Sequence, residues 1–163
     1  MRQWYVVHTQ TRQERRAELN LRRQGFDAWL PLIRRARRHA RRVDTVLAPL
    51  FPRYLFVQLD LAGQAWRSIN GTFGVVRLLC NGDTPLVTPE GLVQEIKQRC
   101  DETGTILWPP RALSAGDSVK VALGRFDVEG IFQTTSGQDR VVLLINLMGR
   151  EVRANVPLRG LAA

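Results

Sequence analysis

The segment Leu50–Leu59 constrains the fold more than any other part of the chain. Aromatic and β-branched residues dominate it and Pro52 stands near its start, which predicts a β-strand. Its side chains alternate between two faces, Tyr54, Phe56 and Gln58 on one and Leu55, Val57 and Leu59 on the other. Both faces are largely apolar. The strand is therefore either buried on both sides or exposes an aromatic face that marks a protein partner, and the pattern alone leaves both open.

Strand and helix patterns alternate through the rest of the first hundred residues. Strands are predicted at residues 4–9, at 26–32 as a sheet edge because of Pro31, at 75–80 and at 85–87 after an Asn81-Gly82 turn. A helix should begin at a Thr11-x-x-Glu14 capping box and end before Gly25, with Ala17 and Leu21 on its apolar side. Short helices are predicted at 63–69 and, with Thr88 as N-cap, at 88–99. This order predicts an α+β sandwich with helices packed on a mainly antiparallel sheet.

Positive charge is concentrated in the first third of the chain. The net charge is +9, and residues 1–60 hold thirteen arginines against five acidic residues. Residues 61–100 have four basic and three acidic residues, and residues 101–163 have seven of each. Because the guanidinium fork matches phosphate geometry, this asymmetry indicates that the N-terminal part faces a polyanion.

Two arginine-rich segments are the candidates for that contact. On the first predicted helix, the side opposite Ala17 and Leu21 carries Arg12, Arg15, Arg16, Arg22 and Arg23. It is either a solvated face or a nucleic-acid surface. Six of the nine residues 34–42 are arginine, so this run should protrude as a hairpin tip or loop. It is either a disordered solubilising loop or, as its uncompensated charge favours, a phosphate-binding element that includes Arg37, Arg38 and Arg41.

The second half of the chain changes character after residue 101. Asp101-Glu102-Thr103-Gly104 is polar and Trp108-Pro109-Pro110 is stiff, which predicts a linker over 102–113 between a domain at 1–101 and another at 114–163. Short strands separated by glycine turns are predicted at 119–121, 130–133, 141–147 and 151–153. Such closely spaced short strands within about 50 residues predict a small SH3-like β-barrel.

Several classes of function are disfavoured. The chain has two histidines, His8 and His39, neither in a catalytic motif, and no glycine-rich phosphate loop, so we expect neither an enzyme nor a cofactor. Two cysteines, Cys80 and Cys100, are too few for a typical metal site and predict buried or half-buried thiols. With no apolar run long enough to cross a bilayer and no signal-like start, we expect a cytoplasmic protein that does not contact membranes.

These segments together resemble the NusG family of transcription elongation factors, almost from end to end. In the N-terminal part, the resemblance rests on Trp4–Val7, on Leu50–Val57, and on Ile69–Arg77 followed by Pro85 and Glu90. In the C-terminal part, Gly116-Asp117-x-Val119-x-Val121 with Gly124-x-Phe126 is similar to the family's KOW motif. The spacing from Leu50 to Asn70, and the run Val142–Leu147, are closer to the specialised RfaH-type antitermination paralogues.

The resemblance implies a non-enzymatic protein that binds bacterial RNA polymerase and suppresses pausing or termination, with operon specificity in the RfaH type. The N-terminal domain would bind the clamp helices of the β′ subunit. The residues implied are Tyr54 and Phe56, with Phe51, His8 and Ile96 at the edge. Basic and polar residues would meet the non-template DNA strand: Arg16 first, then Arg12, Arg15 and Arg23, with Gln13 and Thr72 nearby.

Other parts of the implied function concern the C-terminal domain and the gate loop. The KOW barrel would recruit a small-subunit ribosomal protein or Rho, and we expect a monomer that joins the nucleoid during transcription. Where RfaH contacts the β gate loop, this chain has Ala65-Trp66-Arg67, a different set of side chains. RfaH's C-terminal domain can also form a helical hairpin that masks the polymerase site. Val141–Leu147 could serve either form, and its β-branched content favours strand.

A ribosome-associated RNA-binding protein with a KOW barrel is the alternative function. It explains the arginines equally well, but it leaves the aromatic face of Tyr54 and Phe56 without a role.

Overall fold

The computed structural model describes residues 1–108 and 123–149, with side chains in the second range from Val128 onward. The elements in chain order are β1 Gln3–Thr9, α1 Glu14–Arg23, β2 Asp27–Trp29, β3 Leu32–His39, β4 Arg42–Pro49, β5 Tyr54–Leu59, a 3₁₀ turn Trp66–Gly71, β6 Val75–Leu78, β7 Cys80–Asn81, β8 Thr84–Pro85, α2 Leu92–Gln98, β9 Ile106–Trp108, α3 Leu123–Gln133 and α4 Gly137–Gly149.

A four-stranded antiparallel sheet, in the order β2-β5-β1-β6, forms the centre of the molecule. β5 lies between β2 and β1, and both of its faces are covered. One face, with Leu55 and Val57, packs beneath α1; the other, with Phe56, packs beneath α2, α3 and α4. Of the two alternatives for β5, the structure therefore shows the central strand buried on both sides.

The first helix has its predicted faces but a different start. Ala17 and Leu21 are fully buried against the sheet, and Gly25 follows the helix with a φ of +92°, as predicted. The prediction of a capping box at Thr11 is wrong. α1 begins at Glu14 with Gln13 as N-cap and no side-chain cap hydrogen bond, because Arg12 takes a φ of +62° and turns the chain there.

The second predicted helix also starts later than expected. Thr88 is not its N-cap, and α2 begins at Leu92 after Gly91, whose φ of +85° makes a left-handed turn. The backbone N–H of Thr88 instead donates to the carbonyl of Trp4, so it belongs to the sheet edge. The turn at Asn81-Gly82 is confirmed, and it joins β7 to β8.

β3 and β4 form a long antiparallel ribbon that carries the arginine run. It pairs Leu32 with Pro49 at its base and His39 with Arg42 at its tip. β9 pairs in parallel with β3 at Ile33–Arg35 only. Residues 106–108, within the predicted linker, thus form a strand, and Ile106 and Trp108 are buried there.

The described C-terminal residues are helical, so the strands predicted at 130–133 and 141–147 are wrong for this structure. α3 and α4 contain those segments and form an antiparallel hairpin, and residues 123–149 contain no closed barrel. The strands predicted at 119–121 and 151–153 lie outside the described residues. The apolar residues fit a helix because they recur at intervals of three and four and face one side: Val128, Ile131 and Phe132 in α3, and Val141, Leu144, Leu147 and Met148 in α4. Burial of that side overrides β propensity.

Gly74 provides a test of how the loop after the 3₁₀ turn packs on α1. Its φ is +88°, and an added Cβ would lie 3.0 Å from the Ala17 nitrogen and 3.1 Å from the Gln13 carbonyl oxygen. Gly25 has a similar φ but nothing within 4 Å of an added Cβ. We expect Gly25→Ala to lower the free energy of unfolding by about 1–2 kcal/mol, the cost of the left-handed backbone alone. Gly74→Ala should cost clearly more in urea unfolding, and equal losses would contradict this packing.

Candidate functional site

An aromatic cluster lies on the β5 face that the C-terminal helices cover. It consists of His8, Trp29, Phe51, Tyr54 and Phe56. Phe56 is central, with its ring centroid 5.8 Å from that of Trp29 and 6.0 Å from that of Phe51, the latter edge-on. His8 and Tyr54 stack at 4.8 Å as a direct cross-strand pair. Alternation along β5 places Tyr54 and Phe56 on one face, as the sequence predicted, and strand pairing adds His8 from β1 and Trp29 from β2.

The hairpin of α3 and α4 buries most of this cluster. Phe51, Phe56 and Ile96 are fully buried in a core that includes Ile131, Leu144 and other apolar residues of the hairpin. Tyr54 and His8 are half-buried. Of the five residues predicted to bind polymerase, three are therefore inaccessible while the hairpin is in place.

Arg140 of α4 is the polar centre of this contact. It is 3% exposed and has no carboxylate partner among the described residues. Its Nε donates to the carbonyl of Leu50 at 2.8 Å, and its Nη1 donates to the carbonyls of Thr134 and Thr135, both at 2.9 Å. The guanidinium also lies 4.5 Å from the ring centroid of Trp108. Backbone carbonyls and an aromatic ring thus solvate the buried charge.

A second polar contact joins the hairpin to α2. Arg99 forms an ion pair with Glu129 of α3, and its guanidinium lies 4.7 Å from the ring centroid of Phe132. Both partners of the pair are about a third exposed, so solvent screens it more than Arg140.

On the opposite side of the sheet, α1 and the loop before β6 form a basic surface. Arg12, Arg15, Arg16 and Arg23 are all exposed. The Arg16 guanidinium lies 5.4 Å from the ring centroid of Phe73, and its Nη1 donates to the Gln13 side chain at 3.3 Å.

Phe73 is a feature of that surface that the sequence analysis missed. Its side chain is 72% exposed, which is unusual for phenylalanine. The loop is held against α1 because Gln24 donates to the Thr72 hydroxyl at 2.7 Å and Asn20 donates to the Phe73 carbonyl at 3.5 Å. An aromatic residue within a glycine-flanked loop, next to a predicted basic helix, was the available signal.

The remaining predicted nucleic-acid residues lie elsewhere, on the β3–β4 ribbon. Arg37, Arg38 and Arg41 are exposed near its tip. Arg37 is paired with Asp44 at 3.0 Å, and this hydrogen bond lowers the pKa of the Asp44 carboxyl. The structure thus separates the predicted basic residues into two surfaces, one on α1 and one on the ribbon.

Other candidate chemistry is limited in the part of the chain that the structure describes. Residues 1–108 and 123–149 contain no group of three or more metal-ligating side chains and no helix of the length and apolarity needed to cross a membrane. Cys80 and Cys100 are half-buried free thiols, as predicted, and burial raises the pKa of each.

Comparison with known proteins decides the family. The sequence model described as "Transcription termination factor nusG" matches residues 2–97, more than half of the chain. The chain belongs to the NusG family. It is 28% identical to the transcription termination/antitermination protein NusG of Deinococcus radiodurans, over 91% of this chain and 92% of that protein. It is also 28% identical to the NusG of Thermus thermophilus, over 91% of each chain, and 25% identical to that of Chlamydia trachomatis, over 95% and 91%.

A solved structure that describes domain interaction in Thermotoga maritima NusG aligns with 60% of this chain and 56% of its own. The sequence identity is 20% and the TM-score 0.42.

Arg140 should hold the hairpin on this NusG-family sheet. In Arg140→Met the carbonyls of Leu50, Thr134 and Thr135 lose their charged donor, so docking of α4 should weaken by at least about 2 kcal/mol. Hydrogen exchange of the amides at 137–149 should accelerate by more than tenfold. Gln138→Met, an exposed change on the same helix, is the control. Unchanged exchange in Arg140→Met would refute this role.

His8 should make stability depend on pH. Burial, followed by the charges of Arg53 and Arg77, lowers the pKa of His8 below its usual 6.5, so the unfolded chain binds the proton at a higher pH than the folded protein. The free energy of unfolding should fall as pH decreases through about 6.5, and the loss should be complete below the folded pKa. Urea unfolding at about pH 7.5 and about pH 5 should show a smaller difference in His8→Asn, but not in His39→Asn, whose side chain is exposed.

Proposed function

We propose that this NusG-family transcription factor docks on RNA polymerase through the aromatic cluster and contacts the non-template DNA strand through the α1 surface. The supporting observation is the placement of the two surfaces. Phe56 and its neighbours occupy one face of the central sheet, and Arg16 and Phe73 lie beyond the other face. A protein with this arrangement can touch two partners at once.

The anchor is the aromatic cluster, and its partner would be the clamp helices of the β′ subunit. A helix can seat on a sheet face only where the sheet offers a contiguous apolar surface, and Phe51, Tyr54 and Phe56 provide one. In this structure that surface is occupied by α3 and α4, themselves a pair of helices. The intramolecular hairpin and a helical partner would therefore compete for the same surface.

Because of this competition, polymerase binding depends on how many molecules have a detached hairpin. Polymerase can bind only the fraction of molecules in which the hairpin has left, so its apparent affinity is reduced by that fraction. Arg140 and the Arg99–Glu129 pair bias the equilibrium towards the covered state. A signal that loosens either contact would raise the affinity for polymerase without changing the docking surface.

The DNA contact would combine charge with stacking. The Phe73 side chain is 72% exposed, with Arg16 over its ring, in a surface of four exposed arginines, and base stacking on such an aromatic side chain contributes about 1–3 kcal/mol. Single-stranded DNA has unstacked bases available for this contact and duplex DNA does not. The exposed non-template strand of a transcribing polymerase therefore fits the α1 surface, and Gln13 and Thr72 border the site for hydrogen bonding.

Bridging these two partners explains an effect on pausing. A rigid sheet attached to the clamp on one side and to DNA on the other restrains opening of the cleft, so paused conformations become less populated. We further propose that Ala65-Trp66-Arg67 meets the β gate loop, with Arg67 stacked on Trp66 at 4.6 Å. Residues 114–163 would recruit a small-subunit ribosomal protein or Rho, action would be operon-specific, and the protein would act as a monomer in the cytoplasm on the nucleoid.

The test is co-elution with bacterial core RNA polymerase, using variants chosen from the burial pattern. Phe56 is fully buried, and its loss would damage the core, so half-buried Tyr54 is the better docking-face variant. Leu144→Gln should release the hairpin, since it places a polar group in the fully buried contact. We expect Leu144→Gln to bind at least tenfold more tightly than the wild type, and Tyr54→Ala added to it to reverse much of that gain.

Gln138→Ala, on the exposed side of α4, should bind as the wild type does. Hydrogen exchange must show that the hairpin is detached in Leu144→Gln. A detached but folded variant that does not bind polymerase would refute the proposal. Binding to ribosomal RNA by that same variant would favour the ribosome-associated alternative.

A further inference from the structure

The outer half of the β3–β4 ribbon stands free of the rest of the described structure. β9 pairs with β3 only up to Arg35, so from Ala36 to Thr45 the two strands pair with each other alone. All ten residues of this outer ribbon are exposed. At about 3.4 Å per residue, four paired residues project roughly 14 Å beyond the sheet.

Basic side chains occupy both faces of the outer ribbon and its tip. Residues directly opposite in an antiparallel pair share a face. Arg37 and Arg42 therefore lie on one face, Arg38 lies on the other, and Arg41 is at the turn. The outer ribbon carries four arginines and one acidic residue, Asp44, which pairs with Arg37.

The turn at the tip holds an arginine where the backbone disfavours one. Ala40 and Arg41 have φ values of +46° and +66°, the signs required at the centre of a two-residue type I′ hairpin turn. Asn-Gly is preferred there because most other side chains are disfavoured at positive φ. Strained positions of this kind occur at binding sites, and here the strain places a guanidinium at the extreme tip.

We propose that the outer ribbon, residues 36–45, inserts into the major groove of duplex DNA. A two-stranded β-ribbon fits that groove, which is about 12 Å wide and about 8.5 Å deep. The projecting length of roughly 14 Å reaches its floor. Arginines on opposite faces then meet the phosphates of the two strands that border the groove, and Arg41 approaches the base edges. This deepens the proposed function by giving the ribbon a duplex partner, separate from the single strand assigned to α1.

The same features disfavour other nucleic acids. Residues 36–45 contain no phenylalanine, tyrosine or tryptophan and only one smaller ring, that of His39, so the ribbon offers single strands a poorer stacking platform than Phe73 does beside α1. The major groove of A-form RNA is too narrow to admit it. A flat, one-sided contact would leave either Arg38 or the pair Arg37 and Arg42 facing solvent, away from the phosphates.

The test compares two triple variants of the full chain that remove equal charge. The ribbon variant is Arg38→Ala/Arg41→Ala/Arg42→Ala; Arg37 is kept because its pair with Asp44 supports the ribbon. The control is Arg12→Ala/Arg15→Ala/Arg23→Ala on the basic surface of α1 and the turn before it. Fluorescence anisotropy measures binding to a DNA duplex of about two helical turns, a single strand of the same sequence and the matching RNA duplex, over a series of salt concentrations.

We expect the ribbon variant to lose duplex DNA binding roughly hundredfold at about 0.1 M salt, and its salt slope to fall by about 1.8, or about 0.9 for each of the two phosphate contacts removed with Arg38 and Arg42. The control should lose far less on the duplex and more on the single strand. Methyl green, which occupies the major groove, should displace the wild type, whereas a minor-groove ligand should not. Equal losses in the two variants, displacement only by the minor-groove ligand, or equal affinity for the RNA duplex would each overturn the proposal.

Polymerase co-elution of the same preparations separates this inference from the proposed function. The ribbon variant should bind polymerase as the wild type does, because residues 36–45 lie in a different sheet from β1 and β5 and none of them packs in the core around the aromatic cluster. Failure of the Leu144→Gln variant, with its hairpin detached, to bind polymerase while the wild type still binds the duplex would sink the elongation-factor proposal and leave the duplex contact standing. Absence of duplex binding while polymerase binding is retained would overturn the ribbon proposal and leave the elongation-factor proposal standing.

Discussion

The structure depends on one constraint, that both faces of β5 are apolar and both must be covered. Leu55 and Val57 on one face need a single short helix, and α1 supplies Ala17 and Leu21 for it. The other face carries large aromatic rings and needs a wider cover. α2 shields part of it, and the hairpin of α3 and α4 shields the rest. Because an exposed aromatic face is costly in water, apolar surface must cover it, and in this structure the helices α2, α3 and α4 do so.

The distribution of the arginines also follows from the cost of burying side chains, here charged ones. Charged side chains stay exposed where no partner compensates desolvation, so the arginines of α1 and the ribbon line the surface and lend it positive potential. Arg140 is the contrasting case. It is buried beneath the hairpin because three backbone carbonyls and the Trp108 ring receive it. The same residue type thus lines two exposed basic surfaces and forms a buried contact in a third place.

Short sequence patterns predicted an element correctly where the spacing of its apolar side chains or a turn residue defines it. The alternation in β1 and β5, the two faces of α1, the turn at Asn81-Gly82 and the left-handed Gly25 all follow from short stretches of sequence. They failed where backbone geometry at one residue mattered more than a motif. Thr11 and Thr88 stand in good cap positions, yet Arg12 and Gly91 turn the chain and shift both helix starts. Phe73 escaped notice because exposure is a property of the packed loop, which Gln24 and Asn20 hold in place.

The sequence by itself determined the α+β character of the N-terminal part, the two-faced central strand, the protruding arginine hairpin and the resemblance to the NusG family. Tertiary structure decided the state of residues 130–133 and 141–147. Their β-branched residues favour strand, and their apolar spacing also suits a helix, so local preference is nearly balanced. Contact with Phe51 and Phe56 resolves that balance, because the helical form buries a whole apolar side on the sheet. The energy that selects the helix comes from residues nearly a hundred positions away, which no local pattern can report.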